Sequence, residues 1–325
     1  MKTGPDNLPA MEEAVPRGVL MRLIDNAKAW SWKAAIACAA AVFLFGAARS
    51  AAAPLDDAAA NYKTIRIERK GAVLIARFYN PPLHVMNAAM VAELSDLLTQ
   101  VETDQQTRVL VLTGGAPGVF IAHYDVGEIG RAGEAASTAG EMRPDGQAPE
   151  LHNMHKALLQ IEALSKPVIA AINGQAHGGG FETALACDFR FMARDGSVGL
   201  PEVTIGIIPG GGGTQRLPRL IGPGKAKELI MLGKSVDGET AERLGMVTRA
   251  VEAEKLLDET LAFANKLAAI PAVSLKQVKR VFREGLDLPL QKGLAVEQDA
   301  FYKAVRSDET RKLFRTRQQN SRKPE

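Results

Sequence analysis

Two short apolar runs, Val109–Thr113 and Pro167–Asn173, constrain this chain more than any other feature. Neither alternates polar with apolar residues, and both end in turn-forming residues, so each reads as a strand buried on both faces. Asp188–Ala193 reads as a further strand. Amphipathic stretches separate them. From Asn87 the apolar positions Met90, Val91, Leu94, Leu97, Leu98 and Val101 step by one, three and four, which is one face of a helix. Glu150–Leu164 carries Leu151, Met154, Leu158 and Ile161 on a second helical face, and Phe181–Cys187 reads as a short helix. Upstream, Thr64–Arg69, the Lys70-Gly71 turn and Ala72–Phe78 give a hairpin pattern, which Asn80-Pro81-Pro82 breaks. Gly127–Pro149 is polar and contains Gly and Pro, so it reads as a surface loop. After Thr214 the chain is largely helical. Strands alternating with helices indicate an α/β fold with helices covering a sheet.

The 325 residues are 46% hydrophobic and 24% charged, which excludes wholesale disorder and fibrous repeats. A net charge of +3 is too small for a nucleic-acid binder, and two cysteines cannot organise a disulfide framework. Residues 1–53 differ in kind. Lys28 and Lys33 precede an uncharged run over 34–48, and Ser50, Ala51, Ala52 and Ala53 follow it. That order is the pattern of a secretory signal peptide, and the run is shorter than the ~20 residues of a permanent membrane span. The expectation is an exported, periplasmic or membrane-tethered protein whose only membrane contact is this segment. If the segment is not a working signal, the location is cytoplasmic. Residues 61–250 then form the core and 251–325 a helical C-terminal region.

The glycine clusters are not nucleotide sites. Gly233-Lys234-Ser235 has Glu228 where a phosphate loop requires glycine, and Gly210–Gly213 lacks the spacing of a dinucleotide fingerprint. Gly178-Gly179-Gly180-Phe181-Glu182 is different, because it ends a strand-loop and opens a helix. Amides at a helix start have no intrahelical acceptor, and three glycines let a substrate carbonyl approach them, which is how an oxyanion hole is built. Glu182 and Glu202 flank this start in apolar sequence, where burial raises a carboxyl pKa toward the range of proton transfer. Alone, each would read as a surface residue or a cap. His152 and His155 have helical spacing but no third ligand, so no metal is expected. Cys187 reads as core.

Lys166–Asp188 (KPVIAAINGQAHGGGFETALACD) and Gly199–Gly222 (GLPEVTIGIIPGGGGTQRLPRLIG) strongly resemble the crotonase superfamily, and enoyl-CoA hydratase within it. The resemblance runs from Thr64 to Lys323 and includes the Asn80-Pro81-Pro82 break and Gly238–Val247. It implies a spiral of ββα units with C-terminal helices that form a homotrimer, often doubled into a hexamer. It implies an acyl-CoA thioester as substrate and no cofactor beyond that CoA. By position, Gly179 supplies one oxyanion-hole N–H. Phe120–Asp125 matches the family's Phe-x-x-Gly-Ala-Asp, so Tyr124 supplies the other from its backbone. Glu202 matches the residue exchanging a proton at the α carbon, and Glu182 the one activating water. Ala122, His123, Asp125 and Gly178 fall at substrate-binding positions, and Gly210 near the water. Members that only move double bonds commonly keep the Glu202 equivalent alone, so having both favours hydration over isomerisation.

The departures are specific. His123 and Tyr124 replace a small Gly-Ala pair, His177 stands where members are often apolar, and Gly127 replaces a frequent lysine near the CoA nucleotide. His123 either acts on substrate, as a hydrogen-bond partner or a base, or fills space against a backbone carbonyl. A signal peptide also conflicts with CoA esters, which are not extracellular. The alternatives are therefore an isomerase, a CoA-independent β-diketone hydrolase using His123 with Glu202, and a non-catalytic trimeric scaffold. Retention of both glutamates and the Gly triplet argues against the scaffold.

Overall fold

The apolar runs do form the centre of a sheet. A computed structural model describes Leu55 and residues 61–138 and 150–320, all within the unit that begins at Pro54. The signal-like segment 1–53 lies outside the described residues, as does the 139–149 part of the expected loop. Among the described residues, no helix is long and apolar enough to cross a membrane.

The chain runs β1 (Ile65–Lys70), β2 (Val73–Phe78), α1 (Ala88–Thr103), β3 (Val109–Gly114), β4 (Gly118–Ile121), α2 (Val126–Thr138) and α3 (Asn153–Ala163). It continues with β5 (Val168–Ile172), β6 (Gly174–His177), α4 (Gly179–Leu185), β7 (Phe189–Ala193), β8 (Ser197–Gly199) and a 3-10 turn, Glu202–Ile205. Then come α5 (Gly213–Ile221), α6 (Pro223–Met231), β9 (Ser235–Asp237), α7 (Gly238–Arg243) and β10 (Arg249–Val251). Helices α8 (Leu256–Ala268), α9 (Ala272–Gly285), α10 (Leu290–Val305) and α11 (Asp308–Asn320) complete it.

Two sheets result, ordered β1-β2-β3-β5-β7-β10 and β4-β6-β8-β9. The expected hairpin pairs antiparallel, from Ile65 opposite Phe78 to Lys70 opposite Val73. The remaining strands of the larger sheet pair parallel. Each of β3, β5 and β7 lies in the larger sheet and is followed directly by a strand of the smaller one, β4, β6 and β8. That stepwise return from sheet to sheet is the spiral of ββα units.

The core has a layer on each face of the larger sheet. Along β3 and β5, Leu110, Leu112, Val168, Ala170 and Ile172 face the layer that includes α1 and α3. Val109, Val111, Ile169 and Ala171 face the other layer, where Leu256, Ala264 and Leu267 of α8 cover them. The first helix of the 251–325 region therefore belongs to the core, since without it this face would be bare. In α1 the buried set is Met90, Val91, Leu94, Leu97, Leu98 and Val101, the stripe read from the sequence. Each such side chain contributes roughly 1.5–3 kcal/mol on burial. Asn87 starts the helix by accepting from the Met90 N–H at 2.9 Å.

One element departs from expectation. Val126–Thr138, read as the start of a surface loop, is helix α2. Asp125 caps it by accepting from the Glu128 N–H at 3.1 Å. Farther on, Lys279 of α9 reaches into the sheet layer, where its ammonium sits 2.6 Å from Asp188 and donates to the Lys166 carbonyl at 3.0 Å. Asp188 in turn accepts from the Val168 N–H, so one ion pair fixes α9 to β5.

Candidate active site

The Gly triplet sits where β6 leaves the smaller sheet and α4 begins, and each glycine is needed for a different reason. Gly178 has φ of +50°, and a Cβ there would stand 3.0 Å from Glu202 Oε1. At Gly180 a Cβ would fall 2.2 Å from the Ile121 carbonyl, so α4 could not lie against β4. At Gly179 it would stand 3.2 Å from Tyr124 Cβ and 3.6 Å from the Tyr124 amide nitrogen.

That packs the start of α4 against the backbone of Tyr124. The bridge between Met86 and Tyr124 is made by the flanking groups: Met86 N–H donates to His123 O, and Asp125 N–H to Met86 O, both at 2.8 Å. Alternation along a strand then turns the Tyr124 N–H to the opposite side. Gly179 is the first residue of α4, so its N–H has no acceptor within the helix. The Tyr124 side chain points elsewhere, its hydroxyl donating to Glu128 at 3.1 Å. Burial pushes that phenol up to about 12, with the nearby Glu128 charge adding to the effect.

A cavity of about 900 Å³ is lined by Tyr124, Gly179 and both glutamates. Glu182 is 2% exposed on α4, and its Oε1 accepts from the Gly211 N–H at 2.7 Å and the Gly213 N–H at 2.8 Å. Burial pushes its pKa up, while those two amides and the Arg216 charge pull it back. Glu202 begins the 3-10 turn. Its Oε2 is buried with no hydrogen-bond partner among the described residues. Burial pushes this carboxyl up to about 7, and the Glu182 charge adds to the rise. Two carboxyls in one cavity thus have unlike surroundings, Glu182 held by two glycine amides and Glu202 by no more than its own backbone N–H, with Oε2 bare.

Of the other expected positions, His123, Tyr124, Gly178, Gly179 and Gly210 line the cavity, whereas Ala122 and Asp125 do not. Ala122 is tied into the backbone, donating to His84 O at 3.0 Å and accepting from His177 N–H at 3.2 Å. Asp125 serves as the α2 cap. His123 is exposed on the cavity wall, and its Nδ1 lies 2.7 Å from the Tyr124 carbonyl. His177 bonds through Nδ1 to Gln175 and through Nε2 to Ser197, and burial lowers its pKa, keeping the ring neutral. The amides near Glu182 come from Gly211 and Gly213, not Gly210, whose carbonyl instead meets His152 Nε2 at 2.9 Å. Cys187 is buried, as expected. No cluster of metal-ligating side chains occurs among the described residues.

Sequence reasoning did not find the apolar wall: Val126 and Ile129 of α2, Met154, and Ile205, Ile207 and Ile208 after Glu202. The i, i+3 spacing of Val126 and Ile129, continued by Ala132, was the available signal.

The chain is similar over most of its length to known proteins of one family. The family model described as Enoyl-CoA hydratase/isomerase matches residues 68–323. A crotonyl-CoA hydratase of Syntrophomonas wolfei subsp. wolfei is 35% identical over 241 residues, covering 74% of this chain and 89% of the relative. A short-chain-enoyl-CoA hydratase of Clostridium acetobutylicum is 34% identical over 236 residues, covering 72% and 87%. The crystal structure of an enoyl-CoA hydratase from Bacillus anthracis superposes with a TM-score of 0.71 at 33% identity, over 79% of this chain and 97% of that one.

Proposed function

The chain belongs to the enoyl-CoA hydratase/isomerase family, and from that premise we propose that it adds water across the double bond of a trans-2-enoyl-CoA thioester. The thioester oxygen accepts from the Tyr124 and Gly179 N–H groups. Glu182 takes a proton from water as the water oxygen bonds to the β carbon. The π electrons move onto the thioester oxygen as an enolate, which the two amides stabilise. The enolate then collapses and the α carbon takes a proton from Glu202, leaving a 3-hydroxyacyl thioester. Solvent exchange returns the proton from Glu182 and reloads Glu202. CoA enters as part of the substrate, and this reading needs no metal.

The observation that carries the reading is the contrast between the two carboxyls. Burial raises the Glu182 pKa, and the two amide donors oppose that rise by favouring the ionised form, which a base requires. Glu202, pushed up to about 7 with a bare oxygen, keeps the proton an acid must give. An isomerase has no use for a second carboxylate held in this way. The apolar wall supports an acyl chain as the occupant.

The test is hydration of short, medium and long trans-2-enoyl-CoA esters by the full chain, followed as loss of the conjugated thioester absorbance. Turnover is expected, with kcat/KM falling as pH rises above about 7, because ionised Glu202 cannot donate. No turnover on any ester sinks the reading and leaves CoA-free diketone cleavage through His123 as the next one to try. The proposal extends to assembly. Helices α9 and α10 with the turn between them expose Phe282, Leu286, Leu290 and Phe301, each at least 60% accessible, a face that further copies of the chain would cover. Sedimentation at the trimer or hexamer mass is expected, and a monomer would refute it.

A further inference from the structure

His152, which the sequence offers only as half of an incomplete metal pair, has two other bonds. Its Nδ1 accepts from the His155 N–H at 3.4 Å, a long cap of α3, and a carbonyl can only accept, so the Gly210 oxygen assigns the proton to Nε2. Nε2 then donates to the Gly210 carbonyl at 2.9 Å. The His155 ring stacks on it, centroids 3.9 Å apart. The Gly210 carbonyl and the Gly211 N–H belong to one peptide plane, and in a trans peptide they point in opposite directions. Holding the carbonyl outward therefore aims the N–H inward, where it meets Glu182 Oε1 at 2.7 Å. Arg216 holds the next carbonyl, that of Gly211, at 2.9 Å while Glu162 holds its Nε at 2.6 Å, but the N–H of that plane belongs to Gly212 and does not meet Glu182, whose second donor is Gly213. A Gly-Gly peptide has little intrinsic preference against flipping. A flipped Gly210–Gly211 peptide would turn a carbonyl toward the Glu182 carboxylate.

We infer that His152 is a positioning residue for the base: its bond to the Gly210 carbonyl locks the peptide whose N–H orients and charges Glu182. The inference rests on the reading of Glu182 as the water-activating carboxylate. The groups facing Glu182 are Glu202 from the 3-10 turn, Arg216 from α5 and His152 itself from the head of α3. His152 lines the cavity, so bound substrate excludes water from this bond and strengthens it.

Two substitutions separate capping from positioning, because Asn places a polar atom near Nδ1 and Gln near Nε2. His152→Asn keeps a good helix cap and loses the reach to Gly210. It is expected to leave Tm unchanged, lower kcat roughly tenfold to a hundredfold with little change in KM, and move the acid limb of the kcat/KM profile up by about one pH unit. The sign follows from chemistry: losing an N–H donor weakens the ionised carboxylate, so Glu182 protonates at higher pH. His152→Gln is expected to restore kcat despite a poorer cap. The Gly211 amide proton, observed by NMR in the folded enzyme, is expected far downfield in wild type and shifted upfield in His152→Asn, a readout independent of turnover. The inference is overturned if His152→Asn matches wild type in kcat, acid limb and Gly211 shift, or if both variants lose activity only in step with Tm. Glu182→Gln distinguishes the failures. Full turnover in it removes the base itself, whereas a dead Glu182→Gln beside an unaffected His152→Asn removes only the role of His152.

Discussion

Glu202→Gln lowers hydration turnover by roughly 10²–10⁴-fold, the size of a lost general acid, while the protein folds as before. Gln has the same shape and lines the same cavity, but its amide cannot give a proton to the α carbon. The fold is expected to tolerate the change because Glu202 Oε2 accepts no hydrogen bond among the described residues, so none is broken there. The carboxyl also carries a cost that Gln lacks. Its folded pKa, about 7, lies above the ordinary carboxyl value of 4.5, so the folded state binds the proton more tightly than the unfolded chain. Stability tied to that proton is fully present below about pH 4.5 and is lost as pH rises to about 7. Glu202→Gln removes that loss, so its Tm relative to wild type is higher at about pH 8 than at about pH 5. Thermal unfolding at both pH values, together with kcat, checks the pair of effects. Wild-type turnover in this variant would remove Glu202 from the mechanism. Glu182→Gln should also be inactive, but for a different reason: its amide oxygen still accepts from Gly211 and Gly213 and can no longer take a proton from water.

Much of this site was legible because side chains announced it. The α1 stripe, the hairpin and the buried runs follow from periodicity that packing then obeys. The two glutamates stood out against apolar sequence beside a glycine cluster. The smaller sheet was not legible, because Gly118–Ile121, Gly174–His177 and Ser197–Gly199 are too short to show a period, and parallel pairing between distant segments creates them. Helix α2 was hidden by Gly127, Gly130 and Gly133, which lower helix propensity. Its apolar residues on the cavity wall outweigh that preference. Backbone function leaves the weakest trace. Gly211 and Gly213 act through N–H groups that every residue type but proline has, so only their close approach to Glu182 distinguishes them. A Cβ at Gly211 would lie 2.5 Å from Glu182 Oε2. His152 was visible as a histidine, but its bond is to a carbonyl 58 residues away, a distance along the chain that no local pattern reports.

Gly179→Ala is expected to cost roughly 10²–10³-fold in kcat, comparable to removing one oxyanion-hole donor, although it deletes no hydrogen bond of the free protein. The added methyl stands 3.2 Å from both Tyr124 Cβ and Met154 Cε, and 3.6 Å from the Tyr124 nitrogen. Those contacts are tight by a few tenths of an ångström, and the Met154 end can rotate away, so α4 should still form, with Ala favoured over Gly in a helix. The methyl stands on the side where Gly179 faces Tyr124, and on the proposed mechanism it crowds the thioester oxygen that must receive both amides. Both donors remain and neither can be reached, so the loss falls on the transition state, where the oxygen becomes an enolate. Ground-state binding through CoA and the acyl chain is untouched, so KM should change little while kcat falls. The opposite split, a raised KM with kcat preserved, would mean that the thioester oxygen lies elsewhere and that the Tyr124 and Gly179 amides only shape the cavity. Far-UV circular dichroism and Tm matching wild type would confirm that a lost oxygen site, not a lost helix, accounts for the effect.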